Sequence, residues 1–169
     1  EGYEAIAWID GNVLFRGDPV SYADRVAAAG WGIGLVPHPE RDCVFAEAEA
    51  CKAMARDDPG IIDAQMERYR ALGVPAGAGL WETNFFVLRP DEPGIGTAFR
   101  LWWDEIARHS RRDQLSVGYA LARSGAVSGA LLPPRVSVRN HPDFRYFDHA
   151  VCRRMVAPEF LHAPVAVPA

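Results

Sequence analysis

A chain of 169 residues is long enough for one domain with a substantial core. Its composition, 49% hydrophobic and 24% charged, is ordinary for a globular protein, and a net charge of -4 argues against a general electrostatic affinity for nucleic acid or anionic lipid. No apolar run approaches the ~20 residues that cross a bilayer, and Glu1-Gly2-Tyr3-Glu4 is neither a basic leader nor an apolar signal core. Arginine outnumbers lysine 17 to 1, a skew of GC-rich bacterial genomes. Cys43, Cys51 and Cys152 are an odd number without close-pair metal spacing. On one helix, Cys43 and Cys51 would sit roughly 12 Å apart, too far for a disulfide. A reducing compartment, the bacterial cytoplasm, is the expectation.

In chain order, Glu-Ala-Ile-Ala-Trp-Ile at residues 4–9 reads as a buried strand that ends in the turn Asp10-Gly11-Asn12. Residues 19–29 read as a helix with Asp18 as N-cap and Pro19 at its first position, stopped by Gly30. Residues 32–36 suit a second buried strand. Residues 44–56 look helical, with Val44, Ala48, Cys51 and Ala55 on one face. A helix over 60–71 ends at Gly73, before a Pro/Gly-rich loop at 75–79, and Asn84 to Leu88 is a third strand. Residues 95–108 form a strong helix with Phe99, Trp102, Trp103 and Ile106 as a buried stripe, and Asp113 to Ala122 is another helix. After Gly129 the pattern fades, and Pro133-Pro134 opens a mostly irregular extension over 131–169. Strands alternating with helices predict an α/β layer fold with a mixed, mostly parallel sheet flanked by helices.

Chemistry-bearing residues gather at strand ends. Asp10, with Gly11 allowing close backbone approach and Asn12 as a neutral second ligand, suits a hard cation bridging a diphosphate. An ordinary Asp-Gly turn before Val13-Leu14-Phe15 explains the same residues. His38 and Arg41 follow the second strand and suit phosphate or sugar hydroxyls. Asp42 there can instead cap the next helix, and Glu47 can pair with Arg41. Glu82 and Asn84 suit sugar hydroxyls, with Trp81 as a stacking platform or a core aromatic. In Ser110-Arg111-Arg112-Asp113-Gln114, Asp113 can face a reacting sugar with Gln114 beside it, or serve a capping box begun by Ser110. His141, His149 or His162 can complete a metal site built on Asp10.

The ordered series from Ala7-Trp8-Ile9-Asp10-Gly11-Asn12 through His38-Pro39-Glu40-Arg41-Asp42 and Tyr69-Arg70-Ala71-Leu72-Gly73-Val74-Pro75 continues in Gly79-Leu80-Trp81-Glu82-Thr83-Asn84, Trp102-Trp103-Asp104-Glu105-Ile106 and Ser110-Arg111-Arg112-Asp113-Gln114-Leu115-Ser116. Over roughly residues 3–122 it resembles the glycosyltransferase-like family of plant mucilage-related and turgor-regulation proteins, which has bacterial members. The resemblance implies a GT-A, Rossmann-like fold over residues 1–130, a UDP- or GDP-sugar donor, a glycan acceptor, and Mn²⁺ or Mg²⁺ held at an aspartate motif. It carries Asp10 over as the metal and donor-phosphate ligand. Asp113 and Gln114 match an Asp-Gln pair beside the donor sugar, and His38, Arg41, Glu47 and Glu82 match family positions. Asp-Gly-Asn lacks the second carboxylate of an Asp-x-Asp motif. GT-A domains also begin with a nucleotide-binding strand upstream of that motif, so an N-terminally incomplete domain is expected. Two other readings of the same residues are a hydrolase of ceramidase type and a sugar-binding module without turnover; no nucleophile elbow or His-Glu-x-x-His helix supports the first.

Overall fold

The computed structural model describes residues 2–148. The chain opens with strands β1 (Ile6–Ile9) and β2 (Val13–Phe15), helix α1 (Pro19–Ala28) and strand β3 (Ile33–Pro37). Helices α2 (Val44–Ala53) and α3 (Pro59–Ala71) lead to strand β4 (Trp81–Leu88). Helix α4 (Ile95–Arg108), a 3-10 turn (Asp113–Leu115) and helix α5 (Val117–Ser124) then lead to strands β5 (Ser128–Ala130) and β6 (Phe144–Tyr146).

Local chemistry sets the helix starts. The Asp18 carboxylate accepts the N–H groups of Val20 at 3.0 Å and Ser21 at 3.2 Å, Pro19 occupies the first helical position, and Gly30 leaves the helix at φ 66°. Asp58 and Pro59 repeat the device at α3. At α2 the cap position is Cys43, not Asp42, and no side chain caps it.

The main sheet has the order β1-β4-β3-β5. β4 runs antiparallel to both β1 and β3, and only β3 and β5 are parallel. The expectation of a mostly parallel sheet therefore fails, while the mixed α/β class holds. The reason lies in the helices: α2 packs with α3 and α4 with α5, so each pair carries the chain out and back. It re-enters the sheet at the end it left, with Pro37 opposite Trp81, and with Leu88 and Ser128 both opposite Ile33. Strand-helix alternation predicts parallel strands only when one helix makes each crossover.

Alternation along β4 divides the core. Phe85 and Val87 face a layer with Tyr22 and Val26 of α1, whereas Phe86 and Leu88 face Ile95, Ala98 and Trp102 of α4. On α4 the buried positions are Ile95, Ala98, Trp102 and Glu105; Trp103, expected in the stripe, is 70% exposed because it is turned about 100° from Trp102.

Residues 131–148, read from the sequence as part of an irregular extension, supply β6, which pairs with β2, and bury Leu131, Leu132, Val138 and Phe144 in the α1 layer. Phe144 lies 4.8 Å from Phe85 and 5.2 Å from Phe15 between ring centroids. Phe144→Ala is expected to lower unfolding free energy by about 3–5 kcal/mol in urea titration, the range for a buried aromatic truncated to alanine. A loss below about 0.5 kcal/mol, the scale of surface substitutions, would show that this segment is an appendage.

Candidate functional site

β1 and β3 end, and β4 begins, at one end of the sheet. The ladder continues past the strands: the Asp10 N–H donates to the Asn84 carbonyl at 3.0 Å, Val36 pairs with Glu82, and the His38 N–H donates to the Leu80 carbonyl at 2.8 Å. A cleft of about 400 Å³ opens there. Asp10, Asn12, His38, Arg41, Glu82, Asp113 and Gln114 all line it, as do Glu47 and Asn84. Residues separated by about a hundred positions in sequence thus share one polar cavity.

Asp10 accepts a hydrogen bond from the Trp8 indole N–H at 3.1 Å. Asn12 is buried, and its amide nitrogen donates to the Phe147 carbonyl at 3.1 Å, so Oδ1 is its one side-chain atom with the chemistry to meet a cation. Gly11 sits exposed in the turn and does not line the cleft.

The second strand end carries a compact ion cluster. Arg41 Nε donates to Glu47 Oε2 at 2.5 Å and Nη1 to Glu40 at 3.1 Å, which fixes the guanidinium at the cleft wall. Glu47 is 3% exposed, and Arg41 supplies the counter-charge that a buried carboxylate requires. His38 Nδ1 accepts the N–H groups of Glu40 at 3.2 Å and Arg41 at 3.1 Å, which favours the neutral tautomer with its proton on Nε2; Nε2 lies 3.7 Å from Glu47 Oε2 and 3.4 Å from Arg41 Nη2. Burial holds the His38 pKa below its usual 6.5; Arg41 acts in the same direction and Glu47 against it. Asp42 lies outside the cleft, its carbonyl accepting the Gly79 N–H at 2.9 Å.

Glu82 is 1% exposed and ion-paired to Arg139. Burial raises its pKa, and Arg139, Ser137 and the Val138 N–H act against that rise. Asn84 Oδ1, buried in the same wall, has no hydrogen-bond partner among the described residues. Asp113 Oδ1 accepts the Gln114 N–H at 2.9 Å, and Gln114 Oε1 accepts Arg112 Nη2 at 3.1 Å. The capping box drawn from Ser110 does not form: the Ser110 hydroxyl donates to Asp57 at 2.8 Å.

His141 is not part of this site. Its Nδ1 accepts the Asp143 N–H at 3.2 Å and its ring packs against Phe144 at 5.8 Å, so it serves the β6 turn and does not join Asp10. His149 and His162 lie outside the described residues. Trp81 lines the adjoining cavities and not this one. Among the cleft residues that sequence reasoning missed are Arg139, Tyr146 and Asp148. They sit where no periodicity marks a structural element. The one available signal was Glu82 itself, whose place beside an apolar strand demands a cation from elsewhere.

A histidine whose native pKa lies below its unfolded value is protonated more readily when unfolded. Its neutral burial therefore stabilises the fold above about pH 6.5, and that contribution is lost as pH falls below it. Imidazole NMR titration is expected to give a His38 midpoint below 6.5 with the Nε2–H tautomer. His38→Asn should flatten the fall in stability between about pH 7 and 5.5. A His38 midpoint at or above 6.5 would contradict the assignment.

Residues 4–130 match the family model described as TOD1/MUCI70, glycosyltransferase-like domain. No curated protein and no solved structure matches the chain. The matched span takes in the cleft residues from Asp10 to Gln114 and stops before Arg139, Tyr146 and Asp148. It covers well over half of the sequence, and the chain belongs to the TOD1/MUCI70 family of glycosyltransferase-like domains.

Proposed function

We propose that this cleft is the donor site of a metal-dependent glycosyltransferase that moves a sugar from a UDP- or GDP-sugar to a glycan acceptor. The observation that carries the reading is the convergence of Asp10, His38, Arg41, Glu82, Asp113 and Gln114 on one cavity at the carboxyl ends of β1 and β3. Ligands of α/β sheets bind at such strand ends.

The residues fit a hard divalent cation. Among the described residues, Asp10, Glu40, Glu47, Glu82, Asp113 and Asp148 set six carboxylates against the four arginines Arg41, Arg56, Arg112 and Arg139. Among the described residues, no group of three or more His, Cys, Asp or Glu is arranged to hold a metal ion. Asp10 and Asn12 Oδ1 are the groups that would hold such a cation, with diphosphate oxygens needed to complete its shell. Bound there, Mg²⁺ or Mn²⁺ supplies Lewis-acid stabilisation of the leaving diphosphate.

The protein's own groups would do the rest. Arg41, braced by Glu47 and Glu40, and Arg112, braced by Gln114, bind diphosphate oxygens in fixed orientation. Asp113 and Gln114 orient the donor sugar, and Asp113 faces the positive charge that develops at the anomeric carbon. The bond from that carbon to the diphosphate oxygen breaks as a bond to the acceptor hydroxyl oxygen forms. In an inverting transfer the hydroxyl proton passes to Glu82, which burial makes more basic than a solvated carboxylate.

Chromatographic assay of donor turnover with Mn²⁺ tests these roles. Asp113→Asn and Glu82→Gln are each expected to lower kcat by about 10²–10³-fold with the fold retained. Unchanged turnover in both would remove the assignment. A wild-type protein that binds sugar but turns over no UDP- or GDP-sugar would favour the sugar-binding module.

A further inference from the structure

Beside the donor cleft lies a second cavity of about 360 Å³, and the two share one residue, Gln114. Its walls are of a different kind. Trp81, Tyr119, Leu80, Val74 and Leu72 contribute apolar surface, and among the described residues no carboxylate lines it and Arg123 is its one side chain charged at neutral pH. A third, shallower cavity links the pair over the surface: it shares Trp81 with the apolar cavity, and His38 and Arg41 with the donor cleft.

One residue of the apolar cavity has no packing reason to be what it is. Gly118 is the second residue of helix α5, and glycine is a weaker helix former than alanine by up to about 1 kcal/mol. Its φ is not positive, and a Cβ built there would meet no atom within 4 Å. Gly34 and Gly129, by contrast, answer to contacts: a Cβ on Gly34 would meet Leu131 at 2.7 Å and one on Gly129 would meet Trp31 at 2.0 Å. Gly118 leaves open space in the wall of the cavity that Gln114 also lines.

We infer that this cavity is the acceptor subsite and that it takes an uncharged carbohydrate, seated on the apolar and aromatic wall around Trp81, with Gly118 keeping room for it. The inference rests on the donor reading above, because the acceptor must meet the anomeric carbon beyond Asp113 and Gln114. Aromatic faces receive the C–H surface of sugar rings, and a wall whose one cationic side chain among the described residues is Arg123 gives a polyanionic chain little to pair with. Gln114, shared by both cavities, spans the point where donor sugar and acceptor hydroxyl would meet.

Calorimetric titration of the wild-type protein with neutral gluco-, xylo- and manno-tetraoses, and with an oligogalacturonate as the charged control, tests this without donor or metal. Gly118→Ala and Gly118→Leu are measured alongside, each also titrated with the UDP- and GDP-sugars. At least one neutral tetraose is expected to bind, the oligogalacturonate more weakly. Gly118→Leu should weaken the tetraose tenfold or more and leave donor affinity within twofold. Gly118→Ala should melt no lower than wild type, which separates a filled cavity from a damaged helix. Tetraose binding that survives Gly118→Leu, or no binding of any neutral tetraose, overturns the inference. Loss of donor affinity in Gly118→Leu overturns it too, and makes the cavity a nucleobase subsite. Tetraose binding lost on Gly118→Leu in a protein that binds no donor would retain the carbohydrate site and remove only the donor reading.

Discussion

The antiparallel placement of β4 between β1 and β3 is the constraint on which the rest depends. In a parallel sheet the start of a central strand lies at the opposite end from its neighbours' carboxyl ends. Here the start of β4 lies at the same end, so Glu82, Thr83 and Asn84 stand beside Asp10 and His38. The functional end of the sheet is therefore built from two strand endings and one strand beginning. The paired helices on either side of β4 produce this topology.

That placement buries charge. Glu82 at 1% and Glu47 at 3% exposure are carboxylates that desolvation disfavours unless each is paired and hydrogen-bonded. Arg41 serves Glu47 from the loop after β3, while Arg139 serves Glu82 from the segment before β6. Arg139 also lies over the Tyr146 ring, 4.8 Å from its centroid, and β6 is fixed by its ladder to β2 and by Phe144 in the aromatic core. Core packing around Phe15, Phe85 and Phe144 thus sets the position of an ion pair in the cleft. Asn12 joins the two through mutual bonds with Phe147, donating its side-chain amide at 3.1 Å and accepting the Phe147 N–H at its carbonyl at 2.9 Å.

Much of this was legible in the sequence, for identifiable reasons. Helix starts at Asp18-Pro19 follow from local hydrogen bonding and a fixed proline φ, which tertiary context does not override. The strand ends at Asp10 and His38 were readable because apolar runs stop abruptly at polar turns, and the same polarity marked Glu82 and Asp113 as candidates. Strand direction was not readable, since periodicity is the same for a parallel and an antiparallel buried strand. Arg139 was hidden because its neighbours carry no period and its partner is 57 residues away. His141 looked like a ligand by residue type alone, and its hydrogen bond to the Asp143 backbone N–H belongs to a turn no pattern announced. Gly118 is invisible as a feature until the space beside it is known.

The most direct measurement is calorimetric titration of the protein and its Asp10→Asn variant with UDP- and GDP-sugars, each with and without Mn²⁺. The account predicts that one donor binds wild type in a Mn²⁺-dependent manner and that Asp10→Asn loses the metal dependence and at least tenfold in affinity. Equal donor binding by both proteins, with or without the metal, would contradict the assignment of Asp10 and with it the placement of the donor in this cleft.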